Sequence, residues 1–139
     1  MNSFTEKNIK IPSNFKLFGH TYTVKFDANL YKKHSLYGLF DPSTKTLSIQ
    51  SSGKVEIFQS INDDDEIEQK KIVQITDEDV VETFYHELTH TVLDAISEDE
   101  LYANEKFVTA FSKALLDVFT SANYNDEQKK TKRSNKKTS

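Results

Sequence analysis

Cysteine is absent from the 139 residues, which excludes disulfide bonds, thiolate metal ligands and a cysteine nucleophile. Any metal ion must therefore be bound by histidine and carboxylate side chains. The N-terminal residues lack the apolar run of a signal peptide, and no stretch approaches the roughly 18 apolar residues of a membrane span. The sequence therefore predicts a cytoplasmic protein with no membrane partner.

Net positive charge is confined to residues 125–139. The formal net charge is −4, although this last segment contains six lysines and arginines against Asp126 and Glu127. The remainder of the chain therefore carries a net charge of −8, and we expect no nucleic-acid partner. Since residues 125–139 contain no apolar side chain, we predict that they form a disordered basic tail.

The length allows one domain with a substantial core and is too short for two comfortable domains. Ten phenylalanines and six tyrosines supply bulky side chains for that core. We predict an extended N-terminal segment at residues 1–14 and a single α+β domain at residues 15–123, followed by the tail. The acidic run at residues 62–68 lacks the ligand spacing and the glycine of an EF-hand calcium loop, so a solvated loop is expected there.

Alternating apolar residues over 15–26 and over 35–50 predict two β-hairpins. The second one turns at Asp41-Pro42, where proline presets φ and the aspartate side chain can bond the following backbone. Gly38 lies within a predicted strand, which indicates a bulge or the close approach of another backbone.

The segments beside these hairpins are less regular. Residues 27–34 fit a short helix, and residues 55–58 fit a short strand. Residues 72–75 fit either a continued strand or the approach to a helix.

Residues 84–90, Phe-Tyr-His-Glu-Leu-Thr-His, specify a chemistry. Residues four apart on a helix lie nearly one above the other, so His86 and His90 can direct their imidazoles at one ion. Glu87 lies between them, and a carboxylate beside a metal-bound water can take its proton. H-E-x-x-H on a helix is typical of a zinc hydrolase. We therefore predict Zn²⁺ as cofactor, both histidines as ligands and Glu87 as the catalytic base.

The flanking residues predict the helix that this motif requires. Thr76 followed by three acidic residues indicates a helix start, and the helix is expected to end near Ile96. Its apolar residues cover about half of the helical wheel, with His86 and His90 opposite the centre of that face. A buried core histidine fits this pattern poorly, and a surface histidine pair is the remaining alternative. The apolar residues are Val80, Val81, Phe84, Leu88, Val92, Ala95 and Ile96.

Ser97 and Glu100 form a capping-box pattern that predicts the start of a last helix, ending near Asn123. Catalytic zinc usually has three protein ligands, so one is still missing. Asp94 lies about 12 Å from His86 along the helix axis, too far for one ion, although it can orient His90 indirectly.

On the last helix, Glu105 lies within the angular range of the apolar residues, and an inward carboxylate needs a partner such as a cation. We therefore predict Glu105 as the third ligand, against the alternative of a helix-surface carboxylate.

With Glu105 on the following helix, the sequence resembles the zincin-type metallopeptidases of the ImmA/IrrE kind. That family carries a glutamate zinc ligand at the start of an E-x-x-A-x-x-F-A-x-x-L-L-like helix. The matching places are occupied here by Glu105, Val108, Phe111, Ser112, Leu115 and Leu116. Residues 37–49 are also similar to small phage-encoded proteins with a zincin-like domain.

The resemblance spans about residues 15–120 and is specific over the two helices. It departs from the family at Thr89, where many relatives carry a small residue such as glycine, and at Val108 and Ser112, which replace alanine. It implies a mixed sheet whose edge strand binds an extended peptide beside zinc, with His86, His90 and Glu105 as ligands. Family members cleave repressors or act on transcription in mobile elements.

The expected architecture is a small N-terminal antiparallel or mixed sheet packed on two C-terminal helices. The expected function is a zinc-dependent metallopeptidase acting on a protein or peptide substrate, such as a phage or mobile-element regulatory protein. A non-catalytic zincin-like binding protein with a structural zinc, and an enzyme acting on a non-peptide bond, stay open as alternatives. Tyr85, Tyr102 and His34 are candidate donors to an oxyanion. The sequence does not choose among them or indicate the oligomeric state.

Overall fold

A computed structural model of the protein describes residues 10–60 and 68–123. The predicted tail, most of the acidic run and the first nine residues lie outside this part of the chain. The strands are β1 Asn14–Leu17, β2 His20–Asp27, β3 Gly38–Asp41, β4 Thr46–Gln50, β5 Gly53–Ser60 and β6 Glu68–Ile75. The helices are α1 Leu30–His34, α2 Asp77–Ala95, α3 Asp99–Tyr102 and α4 Glu105–Ser121.

The first four strands form one mixed sheet with the order β1-β2-β4-β3. β1 and β2 pair antiparallel, as do β3 and β4, so both predicted hairpins are present. β2 and β4 pair parallel, and the chain between them contains α1 and β3. The predicted α+β class is confirmed, and the sheet is of the mixed kind. Its order leaves β3 at one edge.

Local chemistry explains the two hairpin turns. Phe18 and Gly19 both have positive φ, at 50° and 81°, which is the backbone twist that a two-residue hairpin turn requires. At the second turn, the Asp41 carboxylate accepts hydrogen bonds from the Ser43 backbone amide at 3.0 Å and from its hydroxyl at 2.6 Å. The predicted role of Asp41 in bonding the following backbone is therefore present.

Residues 53–75 form a second, two-stranded antiparallel sheet. The sequence of residues 72–75 fits either a strand or the approach to a helix. The structure places these residues in β6. On this hairpin, the exposed side chains of Lys70 and Glu56 form an ion pair at 2.8 Å. Because both groups are solvated, the pair contributes little to stability.

The core lies between one face of the four-stranded sheet, the base of the β5–β6 hairpin and helix α2. Side chains alternate across a strand, so every second residue of the central strands points into this core. The buried members are Tyr22, Val24, Phe40, Leu47, Ile49, Val55, Ile75, Val80 and Phe84.

Helix α2 begins where the sequence predicts. The Thr76 side chain accepts a hydrogen bond from the Asp79 amide at 3.1 Å, and the Asp79 carboxylate accepts one from the Thr76 amide at 2.9 Å. This reciprocal pair is a capping box. It fixes the register of the helix that carries the histidines.

The predicted capping box at Ser97 and Glu100 is wrong. Ser97 has φ 60°, and its amide donates to the Asp94 carbonyl at 3.1 Å while the Glu98 amide donates to the Leu93 carbonyl at 2.9 Å. These two bonds form a Schellman motif, so Ser97 ends α2 and does not begin the next helix. The predicted last helix is also divided into α3 and α4, with the Asn104 side chain capping α4 through the Phe107 amide at 3.0 Å.

His90 lies opposite the centre of the apolar face of α2 and is nevertheless buried, at 8% exposed. Helix α2 packs on β3 and β4 on one side and on α3 and α4 on the other. Its histidine face is therefore covered by a second layer, and Thr89 and Thr91 are buried with it.

No helix within the described ranges is long and apolar enough to cross a membrane.

Candidate metal centre

Helix α2 presents His86 and His90 one turn apart. Their ring centroids are 5.0 Å apart, and the rings meet edge to face at 67°. Both Nε2 atoms point toward the first turn of α4. The i, i+4 spacing thus directs two imidazole nitrogens at one place.

Glu105, the first residue of α4, meets both histidines. Its Oε2 atom lies 3.0 Å from Nε2 of His86, and its Oε1 atom lies 2.9 Å from Nε2 of His90. The expectation of an inward carboxylate among apolar residues is wrong, because the Glu105 side chain is 65% exposed. The break before α4 places it instead at the helix N-terminus, where a negative charge is stabilised by the helix dipole.

The three ligand atoms fit a zinc site. They all lie within 4.8 Å of one another, whereas ligands on a tetrahedral zinc lie roughly 3.3 Å apart. Two nitrogens and a carboxylate oxygen are a common donor set for zinc. Within residues 10–60 and 68–123, no fourth histidine or carboxylate joins this group. Three protein donors are the number that an open, catalytic zinc site would use.

The environment of His90 favours the form that binds metal. Burial lowers the pKa of this imidazole, and His86 lowers it further, while Glu105 and the main chain of Tyr102 raise it. A neutral imidazole is required for metal binding. Its Nδ1 atom is buried with no hydrogen-bond partner among the described residues, so the nearby Tyr102 main chain makes no bond of ordinary geometry to it.

Glu87 is a buried carboxylate of α2. It is 8% exposed, and its carboxyl group faces the edge strand β3. Burial raises the pKa of Glu87 to about 7, with a further increase from the Glu105 charge, while a hydrogen bond from the Phe40 backbone lowers it. A carboxyl group with a pKa near the working pH can both accept and return a proton.

The ligands and Glu87 open into one cavity of about 800 Å³. Its walls are the edge strand with the loop before it, helix α2, and the α3–α4 segment. Hydrocarbon and aromatic groups line the strand side, and polar groups line the helix side. The lining residues include Tyr37, Gly38, Leu39, Asp79, Glu82, Thr83, Tyr102, Ala103, Thr109, Ser112 and Lys113.

Of the three donors that the sequence left open, Tyr102 alone lines this cavity. Its ring centroid lies 4.7 Å from that of His90, and burial raises its pKa, so the hydroxyl keeps its proton. Tyr85 packs against Phe84 and Phe119, and His34 ends the short helix α1.

Asp94 does not hydrogen-bond to His90, so it does not supply the orienting contact that the sequence allows. Its charge acts on Tyr102, whose pKa it raises, while Nδ1 of His90 has no partner among the described residues. Sequence reasoning also missed the Phe40 amide. No side-chain pattern can reveal a backbone donor on a strand that pairs with residues 46–49 on its other side.

Comparisons with protein-family models, with curated proteins and with solved structures give no match. The zincin resemblance of the two helices therefore stays a prediction from the sequence.

Proposed function

We propose that the protein is a cytoplasmic zinc-dependent metallopeptidase that hydrolyses a peptide bond in a protein substrate. The observation that carries this proposal is the convergence of His86, His90 and Glu105 within 4.8 Å, directly beside a buried glutamate in an open cavity. The suggestion that the substrate is a phage or mobile-element regulatory protein rests on the family resemblance alone.

His86, His90 and Glu105 would hold the zinc ion. Bound zinc would supply Lewis-acid polarisation of the scissile carbonyl and a lowered pKa of a coordinated water. The absence of a fourth ligand among the described residues supports this chemistry over a structural zinc, which is normally closed by four protein ligands.

Glu87 would act as the general base and then as the acid. Its carboxylate takes a proton from the attacking water, and it later donates that proton to the leaving amine. The pKa of about 7 in the metal-free protein means that the buried carboxyl group can carry this proton near neutrality. Tyr102 would donate a hydrogen bond to the developing oxyanion.

The edge strand β3 would bind the substrate. It pairs only with β4 in the described sheet, so one side of its backbone faces the cavity. An extended peptide can add to such an edge through main-chain hydrogen bonds. The exposed side chains of Leu36, Tyr37 and Leu39 supply apolar contacts along the same wall.

The first prediction tests Glu87 as the base. Glu87→Gln should bind one zinc per chain like the parent, because the ligands are unchanged, while turnover falls about 10²–10⁴-fold. Zinc is measured by elemental analysis and turnover by cleavage of proteins encoded near this one. Glu78→Gln, which changes a carboxylate of the same helix that does not line the cavity, is the matched control.

A Glu87→Gln variant that cleaves as fast as the parent would rule out this mechanism. Parent protein that contains no zinc after growth with zinc available would rule out the metal centre itself.

A further inference from the structure

Gly38 is the first residue of β3, and it lies against helix α2. A Cβ atom at this position would come within 2.5 Å of Cγ2 of Thr83 and 2.9 Å of Cγ of Glu87. Real Cβ atoms essentially never approach other heavy atoms so closely. Gly38 is not among the glycines with positive φ. Close contact, and not backbone conformation, therefore requires glycine here.

The backbone of β3 completes the enclosure of Glu87. The Tyr37 carbonyl accepts a hydrogen bond from the Gln50 amide at 2.8 Å, so alternation along an antiparallel pair turns the backbone groups of Gly38 and Phe40 toward the free edge. The Phe40 backbone lies close enough to the Glu87 carboxyl group to lower its pKa. The Cγ atom of Glu87 thus lies where a side chain at position 38 would stand. Its carboxyl group lies near the Phe40 backbone.

We propose that Gly38 is a positioning residue for Glu87, which it allows to lie flat against the edge strand, beside the Phe40 amide and facing the metal centre. The packing is independent of any reaction, and only its effect on turnover rests on the proposed function. A side chain at position 38 would displace the carboxyl group, while His86, His90 and Glu105 would keep their places because the three atoms nearest to the added Cβ belong to Thr83 and Glu87.

The structural part of the test uses the amide resonances of the full-length protein with zinc added. Glu87→Ala removes the carboxylate from the Phe40 amide, so the amide proton should shift upfield. Gly38→Ala should shift it in the same direction. Gly19→Asn is the control, since it also adds a side chain to a glycine, its Cβ meets nothing within 4 Å, and asparagine tolerates the positive φ of this turn. A Phe40 amide that is unchanged in Gly38→Ala would overturn the proposal.

The kinetic part compares kcat with KM. Gly38→Ala should lower kcat about 10²-fold, the effect expected of a catalytic group misplaced by about 1 Å, with KM and zinc content close to those of the parent. Gly19→Asn should keep the parent kcat. A merely destabilised protein would not show this separation of kcat from KM.

The double variant Gly38→Ala with Thr83→Ser isolates the contact with Glu87. Thr83→Ser removes the Cγ2 atom at 2.5 Å and keeps the hydroxyl that donates to the Asp79 carbonyl, so this variant should fold even if the single one does not. Its kcat should stay low, because the 2.9 Å contact with Glu87 remains. Recovery of the parent kcat would overturn the proposal. Parent protein without peptidase activity would count against the proposed function only, and the Phe40 amide would then decide the role of Gly38.

Discussion

At the scale of single residues, the site combines groups whose positions depend on different ranges of the chain. His86, Glu87 and His90 lie within five residues, so helix geometry alone predicts that the two imidazoles are neighbours. Glu105 reaches them only because α4 packs on α2. The Gly38 contact and the Phe40 amide come from a strand that is about fifty residues earlier in the chain. Sequence spacing carries no information on that last kind of contact.

The raised pKa of Glu87 predicts how the stability of the metal-free protein depends on pH. The folded state keeps the Glu87 proton up to about pH 7, while the unfolded chain releases it near its ordinary value of 4.5. The unfolded state therefore binds fewer protons in this range, and stability falls as pH rises from about 4.5 to about 7. The change due to this one group is about 3 kcal/mol.

Urea unfolding of the parent and of Glu87→Gln at several pH values measures this effect. The stability of the parent relative to the variant should decline across the window, since glutamine does not titrate. A difference that stays constant from pH 4.5 to pH 7 would show that the folded carboxyl group has an ordinary pKa.

Of the three candidate oxyanion donors, Tyr102 is the one that lines the cavity. Removing one such donor typically lowers kcat by about 10²–10³-fold, and Tyr102→Phe should lower kcat on that scale with little change in zinc content. The ring, which packs on His90 at 4.7 Å, is kept in this variant. Tyr85→Phe is the control, because Tyr85 does not line the cavity. Equal kcat values for Tyr102→Phe and the parent would exclude the hydroxyl from catalysis.

At the scale of elements, a capping pattern predicts one helix start correctly and one wrongly. Thr76 and the acidic residues after it satisfy the amides of the first turn of α2, and these groups lie next to one another in the sequence. The Ser97 pattern has the same residue types but a different role, because the chain there must leave α2 and turn into α3. A left-handed Ser97 supplies that turn, and the residue type gives no indication of it.

Ser97 adopts a backbone conformation that favours glycine. Its φ of 60° is unfavourable for a residue with a Cβ atom, so Ser97→Gly should stabilise the protein by up to about 1 kcal/mol. Thr76→Ala should destabilise it by about 1 kcal/mol through loss of the cap. The midpoints of urea unfolding measure both effects. If Ser97 were a helix N-cap, Ser97→Ala would cost as much as Thr76→Ala and Ser97→Gly would give no gain.

At the scale of the whole molecule, the hairpins and the fold class follow from local patterns, whereas the sheet order does not. The parallel pairing of β2 with β4 joins strands that are separated by α1 and β3, and it alone makes β3 the edge strand. Apolar alternation assigns a strand to a face of the sheet, but it does not assign neighbours to that strand. The cavity beside β3 could therefore be expected from the family resemblance only.

The metal centre would connect the two C-terminal helices, since His86 and His90 are on α2 and Glu105 is on α4. Zinc that binds the folded chain alone stabilises it by about 2.7 kcal/mol at a hundredfold excess over its Kd. For a domain of this size, that corresponds to a rise in Tm on the order of 10 °C. Thermal unfolding with zinc and with a chelator measures the difference.

Glu105→Ala should remove most of this zinc-dependent rise, because two histidines alone hold zinc weakly, and its metal-free Tm should stay near that of the parent because the side chain is 65% exposed. Glu100→Ala, which changes an exposed carboxylate on α3, should keep the full rise. Equal zinc-dependent shifts in both variants would show that the ion does not join α2 to α4. In that case the contact of Glu105 with the two histidines would be a hydrogen-bonded helix junction without a metal.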